Sequence, residues 1–228
     1  SSITVSPTTT STYSVVGTDA NGCEATASVT VTVDQPVSPA FTQVSAICTG
    51  ASLSALPTTS TNGIDGTWSP ALDNTTTTTY TFTPAAGACA TGTTMQIVVN
   101  ALPTVTASAV SGAVCLGSST TLSATGAASY TWSTSATASS ITVSPTATST
   151  YTVVGTDANG CEATANISVT VNSLPTVTAS ASSTTVCSGS NSTLSATGAT
   201  TYAWSTSATT SSITVSPTTT STYSVVGT

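Results

Sequence analysis

The 228-residue chain contains no lysine, no arginine and no histidine, set against seven carboxylates, Asp19, Glu24, Asp34, Asp65, Asp73, Asp157 and Glu162, for a formal charge of -7. Without cationic side chains no surface can neutralise phosphates, which removes the main affinity term for nucleic acid. Without histidine there is no imidazole base, and without lysine no Schiff base and no phosphate-gripping ammonium. No apolar run reaches the length of about 18 residues needed to span a bilayer, and no capped apolar period of 3.6 residues marks a helix of ordinary length. These absences argue against an enzyme, a bound cofactor, a nucleic-acid partner and membrane insertion.

What is present is hydroxyl. The chain has 58 threonines and 40 serines, while charged residues make up only 3%. Ser/Thr-rich tracts with prolines can be disordered stalks when they bury too little apolar area to offset chain entropy. Here 38% of residues are hydrophobic, mostly Val, Ala, Ile and Leu alternating with Thr and Ser, and threonine is itself β-branched and favours strands. The pattern predicts an all-β protein whose outer faces are covered by hydroxyls. The opening Ser1-Ser2-Ile3-Thr4-Val5 reads as a strand and not as a signal peptide, so the chain is expected to be an excerpt of a larger precursor.

Internal repetition is the strongest signal. Residues 211–228 are identical to residues 1–18, and 139–156 repeat the same string with Ala147 for Thr9 and Thr152 for Ser14. Residues 104–156 align without a gap on 176–228, an offset of 72, while the first copy recurs at offsets of 138 and 210. The intervening stretch has its own sequence but keeps the landmarks. Cys48-Thr49-Gly50 matches Cys115-Leu116-Gly117 and Cys187-Ser188-Gly189, Trp68 stands where Trp132 and Trp204 do, and Tyr80 precedes Cys89 much as Tyr151 precedes Cys161. The chain therefore reads as the end of one domain (1–34), a divergent domain (36–101), a complete domain (103–172) and the beginning of a further one (174–228). The identical ends fit a window on a longer tandem array with a 210-residue period. They also fit a polymer of separate chains in which the N-terminal strands of one chain complete the open domain of the next.

Within 103–172 the strands are predicted at 104–107, 120–124, 130–132, 140–143, 150–154 and 163–171. The turn Asp157-Ala158-Asn159-Gly160 joins the last two, an Asn-Gly hairpin signal between alternating runs. About seven short strands in about 70 residues, with a tryptophan on a middle strand and a tyrosine opening the penultimate one, predict a small immunoglobulin-like β-sandwich. Tandem immunoglobulin-like β-sandwich domains in a linear, fibre-like array are the expected fold class.

The strings at 12–33, TYSVVGTDANGCEATASVTVTV, and 130–165, YTWSTSATASSITVSPTATSTYTVVGTDANGCEATA, resemble the Ig-like or PKD-like repeats of very large surface proteins of the Bacteroidota. GTWSPALDNTTTTTYTFTPAAGACA at 66–90 is similar to a second repeat type of the same proteins. The resemblance covers essentially the whole chain. It implies a secreted adhesin exported by the type IX system, some of whose relatives form the cell-surface filaments of gliding motility.

Six cysteines, Cys23, Cys48, Cys89, Cys115, Cys161 and Cys187, allow fifteen pairings if all are bonded. Cys115 and Cys161 are 46 residues apart, as are Cys187 and the position that Cys23 takes one period later. Each domain is therefore expected to close its own bridge at one end of its sandwich, Cys48 with Cys89 and Cys115 with Cys161, leaving Cys23 and Cys187 to pair outside the chain. Two cysteines per domain with no histidine disfavour zinc. Disulfides imply an oxidising, extracellular setting.

Trp68, Trp132 and Trp204 are expected as core anchors in preference to a sugar-stacking platform. Tyr13, Tyr151 and Tyr223 are expected at strand corners with their hydroxyls bonded to backbone. The pairs Asp157 with Glu162 and Asp19 with Glu24 are few ligands for calcium, and Asp at a turn commonly accepts backbone amides instead. Asn74, Asn166 and Asn191 match the N-glycan acceptor pattern, which a Thr-rich sequence produces often by chance. With short proline-stiffened linkers, Asn100-Ala101-Leu102-Pro103 and Asn172-Ser173-Leu174-Pro175, and strands that each rise ~20 to 26 Å, a period should extend on the order of 100 Å. A chain without Lys or Arg offers no site to trypsin-like proteases. The expected role is a structural segment of an extracellular filament or giant adhesin, in contact with neighbouring repeats or identical subunits. The alternatives are a polysaccharide-binding module and a spacer of a secreted hydrolase.

Overall fold

The computed structural model describes residues 2–228. Among them there is no helix; every regular element is a strand. Of the strand expected at the N-terminus, Ser1 lies outside the described residues, and 2–5 run without strand pairing. The chain divides into two compact units, the first reaching to Thr104 and including Thr156–Ala163, the second made of Val105–Gly155 and Thr164–Thr228.

In the first unit, β1 (Ser11–Thr18) and β2 (Glu24–Val31) form an antiparallel hairpin in the register Ser11↔Val31 to Thr18↔Glu24. The remaining strands are β3 (Ile47–Cys48), β4 (Gly66–Ser69), β5 (Thr78–Pro84), β6 (Thr93–Ile97) and β7 (Val99–Asn100). β4, β5 and β6 form one antiparallel sheet, and β3 pairs parallel with β7. The threonine run before β5 continues as Tyr80-Thr81-Phe82-Thr83, and the period of two sends Tyr80 and Phe82 inward and Thr79 and Thr81 to solvent. Tyr80, Leu56, Met95 and Ile97 form the core, with Phe41, Val44, Leu53 and Trp68 packed on it. Phe41 lies edge-on to both Trp68 and Phe82, centroids 4.7 Å apart in each case, a favoured aromatic geometry.

β8 (Thr106–Ala109), β9 (Ala113–Cys115), β10 (Thr120–Thr125), β11 (Ser129–Trp132), β12 (Ser140–Val143), β13 (Ser149–Thr156) and β14 (Glu162–Asn172) form two facing sheets; they belong to the second unit except for Thr156, Glu162 and Ala163 beside the hairpin turn, which belong to the first. Their orders are β12-β10-β8 and β11-β13-β14-β9. Val114, Leu122, Ala124, Trp132, Val143, Val153 and Val169 form the core cluster of these strands. β8 and β12 flank β10 in antiparallel register, and the short β9 crosses over to run parallel with β14, Val114 opposite Val171. Two sheets with this strand order, in which the short second strand runs parallel to the last, make an immunoglobulin-like β-sandwich.

The next copy follows at the predicted offset. β15 (Thr178–Ala181), β16 (Ser192–Thr197) and β18 (Ser212–Val215) repeat β8, β10 and β12, with Leu194↔Ile213 matching Leu122↔Ile141. β17 (Tyr202–Trp204) pairs antiparallel with β19 (Val225–Gly227). A Cβ on Gly155 would lie 2.6 Å from Val105 Cγ2, and one on Gly227 2.5 Å from Val177 Cγ2. Both copies thus need glycine for the same close approach of the chain.

Hydroxyls substitute for ions on the outer faces. Thr12–Thr30, Thr106–Thr125 and Thr178–Thr197 bond across strand pairs at 2.8 to 2.9 Å, cross-strand contacts worth roughly 0.2 to 1 kcal/mol each. Among the described residues no buried side-chain polar atom lacks a partner.

Candidate functional site

The chemistry of this chain is concentrated in its cysteines, and two local structures present them. The first is the Cys-x-Gly turn. Cys48, Cys115 and Cys187 each accept a bond from the amide three residues on, from Ala51, Ser118 and Ser190, at 2.9 Å. Gly50, Gly117 and Gly189 take positive φ of 77 to 88° in those turns, a region open to glycine at no steric cost. Cys48 stands opposite Asn100 and Cys115 opposite Asn172, in parallel pairings with the strand that ends at the following linker. The amides of Thr49 and Leu116 then bond Asn100 O and Asn172 O, both at 2.9 Å.

The second is the hairpin turn Asp-Ala-Asn-Gly-Cys. Asp157 Oδ1 accepts the amides of Asn159 and Cys161, both at 2.8 Å. Asp19 Oδ1 accepts those of Asn21 and Cys23 at 2.8 and 2.9 Å. These Asx turns fix the cysteine at the start of the last strand. The Asp19 carboxyl is held below the ordinary carboxylate range, first by the Cys23 amide and then by that of Asn21. Each aspartate engages its Oδ1 in its own turn, and among the described residues no cluster of three metal-ligating side chains forms.

Cys48 is bonded to Cys161, with Cα atoms 5.5 Å apart. The thiols of Cys23, Cys89, Cys115 and Cys187 are unbonded and exposed. This corrects the expected pairings of Cys48 with Cys89 and of Cys115 with Cys161, and the reason is strand length. Cys161 immediately precedes β14, and Cys115 is registered on Asn172 at its far end. Eleven extended residues span roughly 36 Å, whereas a disulfide needs Cα atoms about 4.4 to 6.8 Å apart. The same count separates Cys89 from Asn100, the partner of Cys48. Cys161 and Cys115 lie at opposite ends of β14, so the bond joins the Cys-x-Gly turn at β3 to the turn between β13 and β14, both within the first compact unit. Its loop, with a separation of 113 residues, corresponds to roughly 4 to 5 kcal/mol in the chain-entropy model.

Cys89 sits in a related setting. Its Sγ lies 3.3 Å from Asp34 O, its carbonyl accepts the Val37 amide at 3.0 Å, and Val37 makes a parallel bridge with Ala90. Asp34 follows Cys23 by the eleven residues that separate Cys161 from Asn172.

Trp132 and Trp204 are 2% and 4% exposed, their Nε1 atoms donating to Ala138 O and Thr210 O. Trp68 is half-buried and donates to Pro57 O. Tyr13, Tyr151 and Tyr223 are half-buried, and none makes a hydroxyl–backbone bond among the described residues. Those bonds belong instead to Tyr80, with Asp73, and to Tyr130 and Tyr202, with Ala127 and Ala199. A tyrosine beside a turn three to seven residues upstream was the available signal. Asn74 donates to Ala51 O, Asn166 accepts from Thr152 and Asn191 accepts from Ser216. Asp73 is bound by the hydroxyls of Thr75 and Thr76 and by the Thr75 amide, which hold its carboxyl down at about 2. A cavity of about 430 Å³ opens beside Leu194, Trp204, Val215 and Tyr223.

No protein-family model and no curated protein matches the sequence. Among solved structures the chain is similar to the crystal structure of Down Syndrome Cell Adhesion Molecule (DSCAM) isoform 1.30.30, N-terminal eight Ig domains. The identity is 14% and the TM-score 0.38, over 86% of this chain and 32% of that one. It is also similar to Dscam1 isoform 6.9, N-terminal four Ig domains, at 10% identity and a TM-score of 0.27, over 67% of this chain and 52% of that one. The chain thus spans about a third and about half of those two structures. Its own strand order and the parallel β9–β14 pairing define it as an all-β protein of immunoglobulin-like repeats carrying a disulfide.

Proposed function

We propose that this chain is a structural repeat segment of an extracellular filament or giant cell-surface adhesin, of the kind that Bacteroidota export by the type IX system for attachment or gliding. It is a stalk of segments 1–34, 36–101, 103–172 and 174–228 that holds a tip away from the cell. The observation that carries this reading is the bond from Cys48 to Cys161, which ties one repeat segment to the next across the linker at 100–103. A covalent tie between successive repeats resists extension, and its chemistry belongs to an oxidising compartment. The absence of Lys and Arg adds resistance to trypsin-like cleavage. The partners are neighbouring repeats of the same protein or identical subunits.

Buried indoles weigh against the polysaccharide-binding alternative, since Trp132 and Trp204 offer no ring face for sugar stacking. The test is electron microscopy of proteins carrying different numbers of the 210-residue period. The contour length should grow in proportion to repeat number, and a compact particle of constant length would contradict the proposal.

A further inference from the structure

The bond between Cys48 and Cys161 joins the Cys-x-Gly cysteine of one repeat segment to the turn cysteine of the following one. We infer that this is the rule at every junction, so that Cys23, Cys89, Cys115 and Cys187 are the open halves of further staples, completed by cysteines of adjoining repeats of the same sequence. The inference rests on reading the chain as a tandem array.

Three observations carry it. First, the unbonded cysteines are presented as the bonded ones are. Cys115 has the parallel register and glycine turn of Cys48, Cys187 has the same turn, and Cys23 sits in the Asx turn of Cys161. Second, Cys89 Sγ already lies 3.3 Å from the carbonyl of Asp34. Asp34 is the counterpart of Asn100, and Asn100 is the residue opposite which Cys48 stands. Cys89 is therefore held beside the position that the Cys-x-Gly cysteine of the preceding segment would take. Third, the rule places one complete pair within these 228 residues, the pair observed, and sends the partners of the other four outside. Bridges within each segment would have given two complete pairs, and neither forms.

Under the 210-residue period, Cys115 meets the cysteine equivalent to Cys23 in the next repeat, and Cys187 meets the equivalent of Cys89. Each staple forms one S–S bond from two thiols. The two protons and two electrons pass by exchange to an external disulfide, a protein dithiol oxidant or oxidised glutathione, which is reduced to thiols. Because each loop starts before the preceding one closes, every backbone bond in the array is spanned by at least one staple. A single cut anywhere then leaves the fibre covalently continuous.

The experiment takes full-length protein, alkylates it without reductant, unfolds it in urea and digests it with chymotrypsin together with a glutamyl endopeptidase; because Leu102 and Leu174 precede proline and resist chymotrypsin, the cuts after Glu24 and Glu162 are what leave one cysteine in each peptide. Mass spectrometry should find the 96–116 peptide bonded to the 14–24 peptide, and 163–194 bonded to 83–95. Bonds from 96–116 to 152–162 or from 42–53 to 83–95, or alkylated thiols at these positions, would overturn the inference. Replacement Cys115→Ser should expose a thiol on the 14–24 peptide and leave Cys161 bonded; a thiol on 152–162 instead would contradict it. A denaturing gel separates the two sources of the partner. Loss of apparent mass on reduction places it on a separate chain, and unchanged mass places it on the same polypeptide; either agrees with the pairing. A contour length that fails to scale would remove the array reading while leaving the peptide map to be judged separately.

Discussion

The hairpin of β1 and β2 and that of β13 and β14 have nearly the same sequence and different surroundings. Val15 is 64% exposed, and its counterpart Val153 is fully buried against the opposite sheet; Cys23 is exposed, and Cys161 is buried in a disulfide. The turns are the same to within 0.1 Å in their Asx bonds. The hairpin is thus a local product of Asp, Asn-Gly and threonine alternation, while burial and oxidation come from what meets it. A similar contrast separates Leu122, fully buried, from Leu194, which borders an open cavity.

Four comparisons sharpen that contrast. The largest effect is expected at Trp132, where replacement by alanine should cost about 3 to 5 kcal/mol in urea denaturation. Trp204→Ala should cost less, because the cavity beside Leu194, Val215 and Tyr223 leaves its surroundings freer to collapse around the truncated side chain. Equal losses would show that the two copies are packed alike.

Next comes Cys161→Ser, which opens the staple formed among the described residues and should cost about 2 to 5 kcal/mol. Cys23→Ser in the same chain should change stability by less than about 0.5 kcal/mol. Calorimetry showing equal effects would break the distinction between the two turns.

Asp157→Ala and Asp19→Ala remove the same pair of Asx bonds. Each should lower stability, through the loss of two charge-assisted bonds to backbone amides, and speed amide exchange at Cys161 and at Cys23 respectively. Exchange altered at only one of the two would mean that the turn is not locally determined.

The smallest effect is acid sensitivity at Asp73, in a segment with no copy of that loop. Its folded carboxyl lies at about 2, below the ordinary 3.8, through the Thr75 and Thr76 hydroxyls. A depressed carboxyl stabilises above its unfolded value, and that contribution fades as pH falls from about 4 to about 2. Urea midpoints of Asp73→Asn should therefore fall less over that window than those of the parent chain. Parallel decline would assign the acid loss elsewhere.

Much of the fold was legible because its signals are local. Alternation placed β10, β12 and β14 to within a residue or two, and Asn159-Gly160 placed the hairpin. The 72-residue offset anticipated the matching registers of Leu122 and Leu194. β9 was missed, since three residues carry no period and its parallel partner lies over fifty residues away. Cysteine pairing was misread because equal spacing along the sequence says nothing about the ends at which the thiols lie. The decisive count was eleven extended residues from Cys161 to Asn172. The hydroxyl anchors were likewise displaced, from Tyr151 to Tyr130 and Tyr80, because a hydroxyl bonds whichever turn lies beside its strand.

The claim that successive repeats are tied across their linkers can be read from a single cut. A site-specific protease sequence placed after Leu102 should, once cleaved, leave one species on a denaturing gel without reductant and two fragments after reduction, because Cys48 and Cys161 lie on opposite sides of the cut. Two fragments before any reductant is added would contradict the account.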